Sequence, residues 1–180
     1  MTKLLVLNTP MNPSAKVFSV DELTFLAQLL IKYDAYAICD EVYEHLVYDG
    51  REHIPLIALP GMRDRCIRIS SAGKTFSMTG WKVGYSVGSP ELLTAVGKAH
   101  QFLAFATPPN LQKAVAFGLN KDENYFNDLG VIMESKRNRL AEGLARIGFD
   151  LMDSQGTYFL VADFWPLKFN GDDVEFCKHL

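Results

Sequence analysis

Apolar and polar positions alternate along the chain in runs of two lengths. Residues 3–7 form a short apolar run stopped by "NTPMNP", which reads as a buried strand entering a loop. Ser19 followed by Glu22 makes a capping box. Behind it Leu23, Leu26, Leu30 and Tyr33 recur at helical spacing, predicting a helix over 20–33 with one buried face. "AYAIC" (35–39) is a second continuous apolar run and ends abruptly in Asp40 and Glu41. "RCIRISS" and "KVGYSVG" are a third and a fourth strand candidate. Strands that alternate with helices and are apolar on both faces predict an α/β fold with a mostly parallel sheet covered on both sides.

The pattern then changes. Residues 90–104 and 109–120 read as helices. A long helix is expected over 125–147, with Leu129, Ile132, Leu140, Leu144 and Ile147 along one side and Lys136, Arg137, Arg139 and Glu142 on others. Gly148 stops it. "TYFLVADF" reads as a strand and "DDVEFCKHL" as a helix start, together the opening of a second, α+β unit.

Composition narrows the class. A chain of 180 residues allows one domain, or one and a piece of another, and 48% apolar with 22% charged residues suits a globular protein. A net charge of -3 implies no nucleic acid or other polyanion as partner. No apolar run approaches the length of a membrane span, and the first residues lack the apolar core of a signal peptide. Cys39, Cys66 and Cys177 are far apart with no C-x-x-C, which argues against a disulfide framework or a zinc site and fits a reducing, cytoplasmic compartment. His45, His53, His100 and His179 have no metal-ligand spacing, so no metal is expected.

The chemistry gathers around "SSAGKTFSMTGWKVGY" (70–85), where Lys74 stands among small residues. "AGKT" looks like the end of a phosphate-binding P-loop, but Arg68 occupies the position of the required leading glycine. In open α/β sheets ligands bind beyond the carboxyl ends of the strands, and three polar stretches sit there: "NTPMNPS", "DEVY" and "SSAGK". Together they offer an amine (Lys74), a carboxylate (Asp40), a phenol (Tyr43), an amide (Asn12), a hydroxyl (Ser71) and a second cation (Lys82). An activated lysine condenses with an aldehyde. A carboxylate keeps a pyridinium nitrogen protonated, a phenol and an amide bind a ring oxygen, and a hydroxyl and a cation hold a phosphate. Pyridoxal 5′-phosphate presents all of these groups. Each residue also has a plainer reading: Asp40 as a cap or turn residue, Asn12 as a turn former, Tyr43 as core packing with a wet tip, Lys82 as a solvated charge. One ligand accounts for all six.

"NTPMNPSA", "CDEVYEHLVYDG", "SSAGKTFSMTGWKVGY" and "GTYFLVADF" resemble the fold type I pyridoxal-phosphate aminotransferases, in the branch of the kynurenine, glutamine and methionine enzymes. The resemblance implies an amino-acid:2-oxo-acid aminotransferase, with cysteine-S-conjugate β-lyase activity as an alternative that uses the same carbanion. It implies that Lys74 is the Schiff-base lysine and proton shuttle and that Asp40 is the partner of the pyridine nitrogen. It places Tyr43 and Asn12 on the phenolic oxygen, Ser71 and Lys82 on the phosphate, Val42 against a ring face and Pro10 beside the substrate end. Lys82 stands where much of the family has Arg, which keeps the charge but loses the bidentate fork. Residues 1–123 are then expected to be the C-terminal half of the doubly wound, cofactor-binding large domain. Residues 124–180 are expected to be the connecting helix and the beginning of the small α+β domain. Family members are longer homodimers, and none of the arginines here matches the one that grips the substrate carboxylate. The chain therefore reads as a middle fragment, expected to be inactive alone. A third alternative is a catalytically dead structural or dimerising module with an exposed sheet edge and an uncovered face.

Overall fold

The computed structural model describes residues 2–180. Four strands form one sheet in the order β1 (Leu4–Asn8), β2 (Tyr36–Asp40), β3 (Cys66–Ser71), β4 (Gly84–Val87). The first three are parallel and β4 returns antiparallel to β3, so the sheet is mostly parallel as expected. The register sets Asn8 beside Asp40 and Ser71 beside Gly84, which brings three strand ends to one edge.

The crossover from β1 to β2 is α1 (Val20–Lys32). Its capping box forms as predicted: the Glu22 backbone N–H donates to Ser19 Oγ, and the Ser19 N–H donates back to Glu22. Leu23, Ala27 and Leu30 are its buried face. Tyr33, expected on that face, is instead the half-exposed C-cap residue, where the helix has already ended. The core lies between α1, the strands and a short 3-10 turn at Leu56–Ala58, and holds Leu7, Ala37, Cys39, Leu56, Met62 and Cys66. A side chain such as Leu23, removed wholly from water, contributes about 1.5–3 kcal/mol.

The sheet is covered on one side more than the other. The sequence predicts cover on both faces, yet Leu4 is exposed and Val6 is 69% exposed, because no element among the described residues packs over them. The one-turn helix α2 (Ala72–Thr75) follows β3, and α3 (Pro90–Leu103), α4 (Pro109–Leu119) and α5 (Glu123–Arg146) follow β4. The α5 helix is 24 residues long with none buried. Its predicted apolar side is thus largely open: Ile132 and Leu140 are more than half exposed. No helix among the described residues is long and apolar enough to cross a membrane.

The strand expected at "TYFLVADF" is much shorter. Only Ala162–Asp163 (β6) pairs, antiparallel with Asp150–Leu151 (β5). Thr157 sits at φ 64, which breaks an extended run at its start. The closing helix α6 (Asp173–His179) begins at a second capping box, Asp172 with Glu175.

Candidate functional site

Three loops leave the carboxyl ends of β1, β2 and β3 and meet. Asn8, the last residue of β1, donates from its side-chain amide to the Asp40 carbonyl at 2.9 Å, while its Oδ1 accepts the Asn12 N–H at 2.8 Å. This one amide ties the Asn12 loop to the end of β2. After β2 the chain turns at once: the Glu44 N–H donates to the Glu41 carbonyl at 3.0 Å and the Leu46 N–H to the Tyr43 carbonyl at 2.8 Å. Asp40 and Tyr43 are therefore held one turn apart at the strand mouth. Asp40 is half-buried and its Oδ1 accepts the Val42 N–H at 3.4 Å.

Lys74 lies in α2, directly past β3. The turn is tight because Gly73 packs on the next one: a Cβ there would stand 2.9 Å from the Thr79 Cα. Ser71 is the N-cap of α2, yet its hydroxyl makes no capping bond and is left for another partner. Lys82 ends the 3-10 turn Thr79–Trp81 in a left-handed conformation at φ 56, exposed, two residues before the glycine that pairs with Ser71. The Ala72 N–H to Val83 carbonyl bond, 3.1 Å, fixes Lys82 at the same edge as Ser71. The Lys74 amine is partly open rather than buried, because α2 lies at the rim of the sheet.

Lys74 Nζ stands 5.5 Å from the ring centroid of Tyr43 and 5.5 Å from that of Tyr158, and donates to the Tyr158 hydroxyl at 2.9 Å. Tyr43 also donates to that oxygen, at 3.2 Å, with the two rings edge to face and 5.1 Å apart. Tyr43, Lys74 and Tyr158 thus form one polar cluster. Burial pushes the Tyr43 phenol above its usual range, as do the bond to Tyr158 and the charge of Asp40. The Asn12 side chain opposes them. Tyr43 accordingly stays a proton donor at neutral pH. Burial would raise Tyr158 as well, but the hydrogen bonds from Lys74 and Tyr43, with the Lys74 charge, lower its phenol instead. The assignment follows from the geometry: Tyr158 is the acceptor for two donors and Tyr43 is not.

Tyr158 is the member of the cluster that the sequence reading did not single out. Its place is set by Gly156, where a Cβ would meet the Leu46 carbonyl at 2.6 Å, so only glycine lets the two backbones approach. The Thr157 N–H donates to that carbonyl at 2.9 Å, the Tyr48 N–H donates to Gln155 at 3.0 Å, and Gln155 Oε1 accepts the Val17 N–H at 2.9 Å. Arg137 of α5 secures the same stretch by donating to the Ser154 carbonyl at 2.5 Å and to Asp49 at 2.6 Å, over the Tyr48 ring. A glycine before an aromatic pair in a segment of strand-like composition was the available signal.

The amine, carboxylate, phenol, amide, hydroxyl and second cation predicted from sequence thus lie along one edge of the sheet. This donor set matches an aldehyde-bearing pyridine phosphate in its chemistry. Among the described residues no group of three or more His, Cys, Asp or Glu could hold a metal.

The whole chain, residues 1–180, matches the profile of the family "Aminotransferase class I and II" and belongs to that family. It is 43% identical over 179 residues to a probable N-succinyldiaminopimelate aminotransferase DapC of Mycobacterium tuberculosis, covering 99% of this chain and 45% of that protein. It is also 43% identical over 180 residues to kynurenine–oxoglutarate transaminase 1 of Rattus norvegicus, covering 96% of this chain and 43% of the relative. The solved N-succinyldiaminopimelate aminotransferase of M. tuberculosis superposes with a TM-score of 0.95 at 43% identity, over 99% of this chain and 46% of that one. YbdL of Escherichia coli, described as having a methionine aminotransferase function, gives 0.94 at 37% identity, over 99% and 47%. The chain therefore spans less than half the length of these relatives. The family's cofactor is pyridoxal 5′-phosphate. The named relatives are aminotransferases and transaminases.

Proposed function

We propose that this chain is the lysine-bearing part of a pyridoxal-phosphate aminotransferase that moves an amino group between an L-amino acid and a 2-oxo acid. The amino acid is of methionine, glutamine, kynurenine or aromatic type. The observation that carries the reading is the Lys74 amine standing against Tyr43 and Tyr158 at the edge of the sheet where Asp40 and Ser71 also end.

Pyridoxal 5′-phosphate, when bound, supplies an aldehyde and an electron-withdrawing ring. Lys74 is the residue whose amine would hold it, and the same amine would carry a proton to and from the substrate α-carbon. Asp40, half-buried at the end of β2, would pair with the ring nitrogen and keep it protonated. Tyr43, held protonated by its burial, would turn its one O–H from Tyr158 to the ring oxygen beside Asn12. The Ser71 hydroxyl, spare of capping duty, and the exposed Lys82 would hold the phosphate. Val42 would pack against a face of the ring. Tyr158 accepts a hydrogen bond from the Lys74 amine and would orient it.

Residues 1–123 form the C-terminal half of the large domain in this reading, and 124–180 the linking helix with the start of the small domain. The separate β5–β6 pair and the unburied α5 support that division. The complete protein works as a cytoplasmic homodimer; free Cys39, Cys66 and Cys177 suit a reducing compartment. No arginine here matches the family's substrate-carboxylate arginine, so cofactor uptake by this chain exceeds its turnover. Titrating the chain with pyridoxal 5′-phosphate, then adding L-methionine, L-glutamine or L-kynurenine, tests this by absorbance. Saturable cofactor uptake with slow or no amino transfer is the expected result. No uptake at saturating cofactor contradicts the assignment.

A further inference from the structure

We propose that Arg68 is a positioning residue: its guanidinium locks the turn that carries Asp40 and Tyr43 to the strand that delivers Ser71 and Lys74. The proposal rests on the function above and names the device that sets the spacing of its parts.

The turn after β2 carries two kinds of side chain in alternation. Asp40 and Tyr43 belong to the site. Glu41 and Glu44, each one residue later, turn into the protein, where Glu41 is 0% and Glu44 9% exposed. Arg68 of β3, paired in register with Cys39, meets both. Its Nε lies 2.8 Å from Glu41 Oε2, a close ionic contact rather than an aligned hydrogen bond, and its Nη2 is in contact with Glu44 Oε2. Glu44 Oε1 also accepts from Ser70 Oγ and, at 3.2 Å, from the Tyr85 hydroxyl, so β3 and β4 both hold it. His53 Nε2 stands 2.9 Å from Glu41 Oε2 and His45 Nε2 3.8 Å from Glu44 Oε1. The other Glu41 oxygen is buried with no protein partner.

Arg68 is thus the permanent cation set against two buried carboxylates, and one planar group bridges both. A buried carboxylate without its partner is strongly disfavoured and draws water or moves outward. The covalent neighbours that would move with Glu41 and Glu44 are Asp40 and Tyr43. Arg68 itself is on the strand that ends in Ser71, one turn before Lys74. A loss at position 68 therefore changes the distance between the two halves of the site without touching either.

The test compares the wild-type chain with Arg68→Met, Arg68→Lys and the triple variant Arg68→Met, Glu41→Gln, Glu44→Gln, which strands no charge. Three quantities are read: the dissociation constant for pyridoxal 5′-phosphate, the pH midpoint of the visible colour change of the bound cofactor, and Tm. Arg68→Met is expected to weaken cofactor binding about tenfold and to raise the midpoint, since a displaced Tyr43 no longer donates to the ring oxygen. Arg68→Lys keeps the charge without the two-point geometry and falls between. The triple variant regains Tm yet keeps the weakened affinity and raised midpoint. A merely structural role would move Tm alone, so a folded Arg68→Met with wild-type affinity and midpoint overturns the proposal. Recovery of all three quantities in the triple variant overturns it too. If Arg68→Met does not fold, the lysine and triple variants carry the same comparison. A wild-type chain that takes up no cofactor defeats the proposed function and this inference with it, whereas uptake with indifferent variants defeats the inference alone.

Discussion

The half of the chain that ends at β4 and the helical half that follows it are built to different standards of burial. In the first, Leu23, Leu56 and Met62 are sealed between α1, the sheet and a 3-10 turn. In the second, Phe102 and Leu103 at the end of α3, Phe105 after it and Phe117 of α4 are exposed, Phe102 at 89%. All four are strongly apolar, so composition does not separate the halves; the presence of a facing layer does. The site cluster lies at the strand ends of the first half, and the second half reaches it through Arg137 and the stretch around Gly156.

Substitutions sharpen this contrast. The largest expected effect is Lys74→Ala, which removes every borohydride-fixable bond to pyridoxal 5′-phosphate. Lys121→Ala, in the helical half, leaves that uptake unchanged, and mass spectrometry of the reduced protein reads both. Next, Leu23→Ala is expected to cost about 2–5 kcal/mol of unfolding free energy, because it opens a cavity in a closed core. Ile132→Ala on the open side of α5 stays within about 0.5 kcal/mol. Equal losses in a denaturant titration would contradict the contrast. Lys82→Ala weakens cofactor affinity by about 1 kcal/mol, the scale of an exposed charge contact, without altering its absorbance.

The smallest effect is in the tyrosine titration. Tyr158 ionises below the ordinary tyrosine value of about 10, so the folded state gives up that proton first. Its contribution to stability is present above about pH 10 and fades as pH falls through the lowered folded value; at neutral pH it is nil. An ultraviolet difference titration should show one tyrosine ionising ahead of the others, absent in Tyr158→Phe. An unchanged curve in that variant would contradict the assignment of Tyr158 as the double acceptor.

Much of this was legible in the sequence because local signals agreed. Ser19 with Glu22 marked the start of α1, the helices read over 90–104 and 109–120 match α3 and α4, and the strand runs fell within a residue or two of β1, β2 and β3. The polar strand endings met because a parallel register leaves them no other place, as Asn8 beside Asp40 illustrates. What was not legible depended on partners distant in sequence. The apolar side of α5 has helical spacing, but nothing in spacing says whether a layer faces it. "TYFLVADF" has strand composition, yet Thr157 turns left-handed to meet Leu46 and the ladder begins only at Ala162. Tyr158 reaches Lys74 across 84 residues of chain. The acidic residues of "DEVYEH" look like surface charge until Arg68 is found between Glu41 and Glu44.

The central claim is that the Lys74 amine, held at the strand ends with Asp40 and Tyr43, bonds to pyridoxal 5′-phosphate. Borohydride reduction of the chain with bound cofactor, followed by peptide mass mapping, tests it most directly. A single modified peptide carrying the label on Lys74 is the expected result. Label settled on another lysine, or none at saturating cofactor, would contradict it.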